Sequence, residues 1–331
     1  MLLNRPYMEF FLKKVIGILF FGFAVTVQAA TDTELKNYVA VDLLYWQARE
    51  GGADNWTKTI TSPAAQQSAE LFEAPFAWSP GIRITAGYFF APDTDAWVGF
   101  THYNTTAKNQ AAGIVYSSLD ANYFANNTDG AHFGPSYQSA NINWNIDYNS
   151  LNAEVGHIFV MDEVLTLHPH LGLTFTEINQ NIKTNWYHPT TTTSFTYASE
   201  NLKNNFSGVG PILGIDSLWP VFTKAHQSIG VVGNVATELV YGAWNFKDVY
   251  HNNQPTTITV NSNSIRGLSP MLNGLLGVQW SKTFSKSELS VRLAYEEQIW
   301  FNQMQIYFLD TGKMNRTTTF QGANLQFKLT C

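Results

Sequence analysis

The chain has 331 residues and a formal net charge of −6, with 15% aromatic and only 13% charged residues. A soluble domain usually carries about a quarter charged residues, and no basic cluster is present for a nucleic-acid partner. One cysteine, Cys331, excludes an intramolecular disulfide and a cysteine-based metal centre.

Residues 1–29 read as a secretory signal. Lys13-Lys14 precede an apolar run from Val15 to Val27, and Val27-Gln28-Ala29 forms a small-residue cleavage site. That run is too short for a spanning helix, which needs about 20 residues. No later segment reaches this length without charges or turn residues. The mature chain, residues 30–331, loses Arg5, Lys13, Lys14 and Glu9, so its charge falls to −8. If it spans a membrane, it does so as a closed barrel, because only helices and closed barrels satisfy every backbone group in lipid.

Alternation of period two runs along the mature chain. The first strand is expected over 38–47. Ile82, Ile84, Ala86, Tyr88 and Phe90 then alternate with Arg83, Thr85, Gly87 and Phe89. A weaker strand covers 97–106. Ile142, Trp144, Ile146 and Tyr148 form an apolar row whose parity flips after Ser150 to Leu151, Ala153 and Val155, which predicts a bulge near Asn149-Ser150. Leu165, Leu167, Pro169, Leu171, Leu173 and Phe175 form the clearest row. Weaker strands follow over 195–206, 208–219, 229–245 and 268–282. Leu289, Val291, Leu293 and Tyr295 alternate with polar neighbours, and a short strand is expected over 304–309. The last strand runs through Ala323, Leu325, Phe327 and Leu329 to Cys331. The fold class is all-β, a transmembrane antiparallel up-and-down barrel of about twelve strands. Connections at 91–95, 161–163 and 285–287 are tight. The segments 48–75, 107–140, 184–194 and 246–266 are long and polar, as external loops are.

The chemical motifs are weak. Gly208-Val209-Gly210-Pro211-Ile212-Leu213-Gly214 lacks the spacing and βαβ setting of a nucleotide fingerprint, so its glycines are expected to allow close strand packing. His168 and His170 share a strand face, but no third metal ligand is evident, and two inward polar side chains is the preferred reading. Asp93 and Asp95 suit a tight turn better than a calcium site. No Ser-His-acid set assembles from spacing, His157 included. No catalytic, cofactor or metal residue is therefore assigned.

The charges within strands carry more information. Asp42, Arg83, Glu154, Asp216, Glu238, Arg292, Glu296 and Lys328 all lie opposite the apolar face. A cation facing mid-bilayer lipid costs roughly 2–4 kcal/mol. These eight are the expected lining of an aqueous lumen. The bland alternative is a salt-bridged plug.

The segments Tyr45-Trp46-Gln47-Ala48, Phe76-Ala77-Trp78-Ser79-Pro80-Gly81-Ile82-Arg83 and Gly87-Tyr88 open an ordered set of motifs. Leu167-His168-Pro169-His170-Leu171-Gly172-Leu173, Phe206-Ser207-Gly208-Val209-Gly210-Pro211 and Tyr295-Glu296-Glu297-Gln298-Ile299-Trp300 complete it. In order and spacing the set resembles the major-outer-membrane-protein-like, pore-forming family of Legionella and Chlamydia-related bacteria. The resemblance implies an abundant outer-membrane surface barrel acting as a general diffusion pore, with a role in host contact. Two departures stand out. Chlamydial relatives are rich in cross-linking cysteines, whereas this chain has Cys331 alone. The family tends to end on Phe, and this chain ends on Cys331.

The reading from sequence is a non-enzymatic outer-membrane porin without cofactors, passing ions and small hydrophilic solutes. Five of the eight lining charges are acidic, which leans its selectivity weakly to cations. Its expected partners are outer-membrane lipid, the solutes, the barrel-assembly machinery and, through Cys331 or otherwise, a second copy of the chain. The rivals are a closed structural or adhesive barrel with functional external loops, and an outer-membrane lipase.

Overall fold

A computed structural model describes residues 37–61, 68–119, 136–161, 164–190, 195–254, 257–308 and 312–331. The expected signal, residues 1–29, lies outside them. The described chain is almost entirely strand. β1 is Asn37–Glu50, β2 Thr57–Thr61, β3 Ser68–Phe72, β4 Ser79–Ala91, β5 Thr94–Ser117, β6 Tyr137–His157 and β7 Phe159–Met161. β8 is Leu165–Pro189, β9 Tyr197–Lys224, β10 Gln227–Asn252, β11 Thr257–Thr283, β12 Glu288–Phe308 and β13 Gly312–Thr330.

Ten of these strands close an antiparallel ring, in the order β1-β13-β12-β11-β10-β9-β8-β6-β5-β4 and back to β1. Closure removes the free edges that lipid cannot satisfy. At the seam, Tyr38 faces Thr330 and Glu50 faces Thr318 in one unbroken register. Below it, Asn37 and Cys331 exchange backbone hydrogen bonds of 2.9 and 2.8 Å. The β2–β3 hairpin pairs with the far end of β5, and β7 pairs with the start of β8.

The expected count of about twelve becomes ten wall strands. Segments 195–206 and 208–219 are one strand, β9, of 28 residues. Segment 289–296 and the described part of segment 304–309, to Phe308, are both β12, interrupted by a bulge between Trp300 and Met304, where Asn302 adopts a φ of 54°. Asn tolerates that left-handed conformation better than most residues. The expected long loop 246–266 is also mostly strand, since β10 runs to Asn252 and β11 starts at Thr257.

The strands are longer than a bilayer requires, which is about 9–11 residues, and their two halves obey opposite rules. In the half nearest the chain ends, large apolar side chains point outward: Leu43 on β1, Leu171 and Leu173 on β8, Leu213 on β9, Val235 and Leu239 on β10, and Leu293 on β12. This outer row ends at exposed Tyr45, Trp78, Tyr241 and Tyr295, with Tyr45 and Trp78 stacked at 5.6 Å. Aromatics at that position are the girdle of a membrane barrel. Beyond it the outer face turns polar, with Arg49 on β1, Lys183 on β8, Lys203 on β9 and Lys247 on β10, while apolar side chains turn inward. The far half is thus an extension beyond the membrane that obeys the rule of a water-soluble barrel.

This inversion corrects the bulge expected in β6. Its pairing with β5 is continuous from Thr94↔His157 to Ala112↔Ser139, through Tyr103↔Tyr148. Ile142, Trp144, Ile146 and Tyr148 are buried inside the extension, whereas Val155 faces lipid. The apolar parity flips because the surroundings exchange, not because the strand shifts.

Candidate functional site: the barrel interior

Even positions of β1 point inward, as do those of β6, β8, β9 and β12, because successive residues of a strand alternate faces. The interior can therefore be followed layer by layer from the short-turn mouth.

At the mouth, Tyr38 Oη donates to Asp95 Oδ2 at 2.8 Å, and Lys328 Nζ stands 3.9 Å over the Tyr38 ring. His168 Nε2 lies 2.8 Å from Asp95 Oδ1, and His170 Nδ1 lies 2.6 Å from Glu154 Oε2. Trp97 Nε1 donates to Glu154 Oε1 at 3.2 Å.

The next layer holds ion pairs. Arg83 grips Glu296 with two bonds, Nη2 to Oε1 at 2.8 Å and Nη1 to Oε2 at 3.2 Å. Asn324 donates to Glu296 Oε2 at 2.8 Å. Arg292 Nη2 reaches Asp42 Oδ1 at 3.2 Å, and Gln326 Nε2 bonds both Asp42 oxygens. Buried charges persist where a partner and further hydrogen bonds offset desolvation; the Arg83–Glu296 pair meets that condition, while in the second pair Arg292 Nε is buried without a partner.

Above the charges the interior is aromatic. Tyr148 stacks on Phe320 at 4.9 Å and meets Trp300 edge-on at 6.0 Å. Phe320 also packs on Trp46 at 6.3 Å and on Tyr103 at 5.5 Å. Trp46, Tyr103, Tyr148, Trp300 and Phe320 are all fully buried or nearly so. In a ring of ten, β6 and β12 stand five strands apart either way, so the Tyr148–Trp300 contact reaches from one wall to the other.

The layer beyond is polar and also crosses the bore. Gln180 on β8 donates to Gln303 Oε1 on β12 at 2.8 Å and to Glu50 Oε2 on β1 at 3.3 Å. Thr318 donates to the same Glu50 oxygen. The β12 bulge turns Gln303 inward here, and Trp244 Nε1 donates to its carbonyl. Glu50 lies past the girdle, in the extension. Burial pushes its carboxyl up to about 7, against hydrogen bonds from Thr318 and Gln180 that favour the anion. Asp248, in the same extension, is also raised by burial, opposed by a hydrogen bond shared with Glu200. At the far end Trp56 and Phe76, from the β1–β4 connection, pack on Trp186 and Trp144 at 5.8 Å each.

All eight charges singled out from sequence face this interior. The structure pairs Arg83 with Glu296 and Arg292 with Asp42, and gathers Glu154 and Asp216 around the two histidines. Glu238 lies buried on the same inner face of β10. Sequence reasoning missed Tyr148, Trp300, Phe320, Gln180 and Gln303, which occupy the bore. Its signal was present, in the parity flip after Ser150. The glycines of segment 208–214 do serve close packing: a Cβ on Gly210 would stand 2.1 Å from the Leu239 carbonyl oxygen.

Among solved structures, the chain is similar to the outer membrane protease OmpT of Escherichia coli, at 10% identity and a TM-score of 0.42, covering 91% of this chain and 99% of that one. It is similar to the translocator domain of autotransporter NalP from Neisseria meningitidis, at 12% identity and 0.39, covering 96% of each. A major outer membrane protein from Thermus thermophilus matches at 8% identity and 0.36, covering 90% and 99%. Likenesses this distant carry no argument about activity. No curated protein sequence matches the chain. The family described as Legionella pneumophila major outer membrane protein precursor matches residues 30–331. The chain belongs to that family, and it is a β-barrel protein of the bacterial outer membrane.

Proposed function

We propose that this protein is a closed, non-enzymatic surface barrel whose functional face is the extension standing beyond the membrane, rather than a general diffusion pore. The observation that carries this reading is the contact between Tyr148 and Trp300 on opposite walls. A hydrophilic solute entering from the short-turn mouth would meet two buried ion pairs, then the packed aromatic layer, then the Gln180–Gln303 bridge. Opening a path would separate all three together. Barrels of about eight strands are filled by their own side chains; this ring is two strands wider, and large aromatic side chains reach across it. The extension offers instead a broad polar wall of Asn, Thr and Lys side chains on β5, β6 and β8–β10, suited to structural or adhesive contact at the cell surface.

The porin reading keeps one observation in its favour: every predicted lining charge does face inward, on the membrane half of the bore. Liposome swelling separates the two. Proteoliposomes of the folded protein should swell no faster in isotonic arabinose than empty liposomes. Rapid swelling, slowing with sugar size, would establish the pore.

A further inference from the structure

Beyond the girdle, the outer face of β9–β11 carries cations and no carboxylate. The acids of β9 and β10, Glu200, Asp216, Glu238 and Asp248, all occupy inward positions, and β11 has none. Lys203 on β9, Lys247 on β10 and Arg266 on β11 are exposed on the opposite face, with Lys183 exposed on β8 beside them. Lys203 and Lys247 are register partners. Two ammonium groups thus stand directly opposite each other on adjacent strands, which costs stability unless an anion lies between them. Lys183 is on the diagonal, opposite Asn201. Among the described residues none of the four cations has an ion-pair partner. The one carboxylate on β8, Glu177, faces Ser207, four residues down β9 from Lys203. A chain of net charge −6 has kept its carboxylates off this wall.

Amides fill the space between the cations. Asn205 faces Asn245, one outward step below the lysine pair, and Asn261 faces Lys247. Each carboxamide offers two donors and an acceptor, a set that suits sugar hydroxyls.

Height separates the candidate anions. Tyr241 of the girdle faces Leu268, and Arg266 faces Ala243, one outward step further on. Arg266 therefore stands at the edge of the apolar band. The lysine pair lies six residues beyond Tyr241 and Val209, about 20 Å along the strand at 3.3–3.4 Å per residue. At a tilt of 35–45° that is about 15 Å above the girdle. The polar layer of a phospholipid leaflet is only about 5–8 Å deep. A phospholipid phosphate reaches Arg266 and falls short of the lysines. A lipid whose acidic sugars rise above its acyl chains reaches both, and the outer leaflet of a bacterial outer membrane is built of such lipids.

We propose that the outer face of β9–β11 beyond the girdle binds the anionic saccharide head group of lipopolysaccharide. Arg266 takes a phosphate beside the acyl chains, through the paired N–H groups that match phosphate oxygens. Lys203 and Lys247 share a phosphate or carboxylate of the sugars above, and Asn205, Asn245 and Asn261 bond the hydroxyls between. The site lies outside the barrel and stands whether or not the bore conducts.

The test uses the folded full-length barrel in non-ionic detergent, with folding checked by the gel shift between heated and unheated samples. Native mass spectrometry against purified lipopolysaccharide truncated to lipid A and its inner-core sugars gives the affinity. Lys203→Gln combined with Lys247→Gln should bind roughly thirty-fold more weakly, and Arg266→Gln about five-fold. Lys282→Gln, near the short-turn end of β11, should bind as wild type. Lipid A without core sugars, and phosphatidylglycerol, should respond to Arg266→Gln and not to the lysine pair. Equal affinity of wild type and the folded lysine double variant for the truncated lipopolysaccharide overturns the site. So does phosphatidylglycerol binding as sensitive to the lysine pair as lipopolysaccharide binding, which would leave only general attraction to anions. Tighter binding of a soluble sulfated glycan than of lipopolysaccharide also overturns it, by moving the partner outside the protein's own membrane.

Discussion

Tyr148 on β6 and Trp300 on β12 stand on opposite walls of the barrel, yet their rings meet at 6.0 Å with an interplanar angle of 62°. An edge-to-face pair of this kind contributes about 0.5–1.5 kcal/mol beyond its buried area. Both side chains are buried, and both lie just past the girdle, where the strands exchange a lipid-facing apolar row for an inward one. The contact therefore belongs to the core of the extension. That core folds the part of the barrel outside lipid, and under the proposed reading it also fills the bore.

Cysteine labelling reads the interior directly. In a Cys331→Ser background, cysteines at 84 and 293 should react only with lipid-soluble maleimides. A cysteine at 296 should resist both lipid-soluble and water-soluble reagents, because Glu296 is buried under Arg83 and Asn324. A wet lumen would make position 296 react rapidly with the water-soluble reagent. Mass shifts after a timed exposure check this.

The Arg83–Glu296 pair should behave as a buried pair in equilibrium urea unfolding of the detergent-folded barrel. Arg83→Met alone leaves the Glu296 carboxylate buried without its cation and should cost about 3–5 kcal/mol. The double variant Arg83→Met with Glu296→Leu should recover most of that loss, because replacing both partners removes the desolvation penalty. A double variant no more stable than Arg83→Met would contradict the burial argument.

Stability should fall between weakly acid and neutral pH through Glu50. Its carboxyl is held at about 7 in the folded chain, above its ordinary 4.5. The folded state therefore keeps a proton that the unfolded state has released. That stability is complete below the unfolded value and is lost as pH rises toward the folded one, by an amount on the order of 3 kcal/mol. Unfolding midpoints at pH 5 and pH 8 should differ in wild type, and Glu50→Gln should narrow the difference. An unchanged difference would assign it to another group.

Depth in the bilayer should grade the cost of charge on the outer wall. Leu293 faces Leu325 across β12 and β13 and lies well inside the apolar band, whereas Phe327 lies nearer the short-turn rim. Leu293→Arg should cost roughly 2–4 kcal/mol and Phe327→Arg about 0–1. Yields of heat-modifiable barrel from lipid refolding give the comparison. Equal yields would misplace the membrane band.

Much of this architecture is legible in the sequence where one rule holds along a strand. The row from Leu165 to Phe175 lies wholly in the membrane half, so its faces follow from alternation alone. The eight strand charges were placed inward for the same reason, since lipid penalises them. Alternation fails at Tyr148, where the rule reverses without any local mark in the backbone. It also fails to show that β9 is one strand, because Ser207-Gly208 resembles a turn but is packed mid-strand against Gly242. This inward polar cluster could not be read from spacing, because Gln180, Gln303 and Glu50 meet only through closure of the ring and the bulge at Asn302. Asp216 was invisible as a neighbour of His168 for the same reason: it belongs to the next strand, in a register that sequence does not specify.

A bore filled by its own side chains, as proposed for this barrel, carries no ions. Single-channel recording of the purified full-length protein in planar bilayers tests it most directly, in symmetric potassium chloride and in a salt gradient. No sustained conductance above the bare membrane is expected. Stable openings that scale with salt concentration, with a reversal potential displaced toward that of the cation, would contradict it.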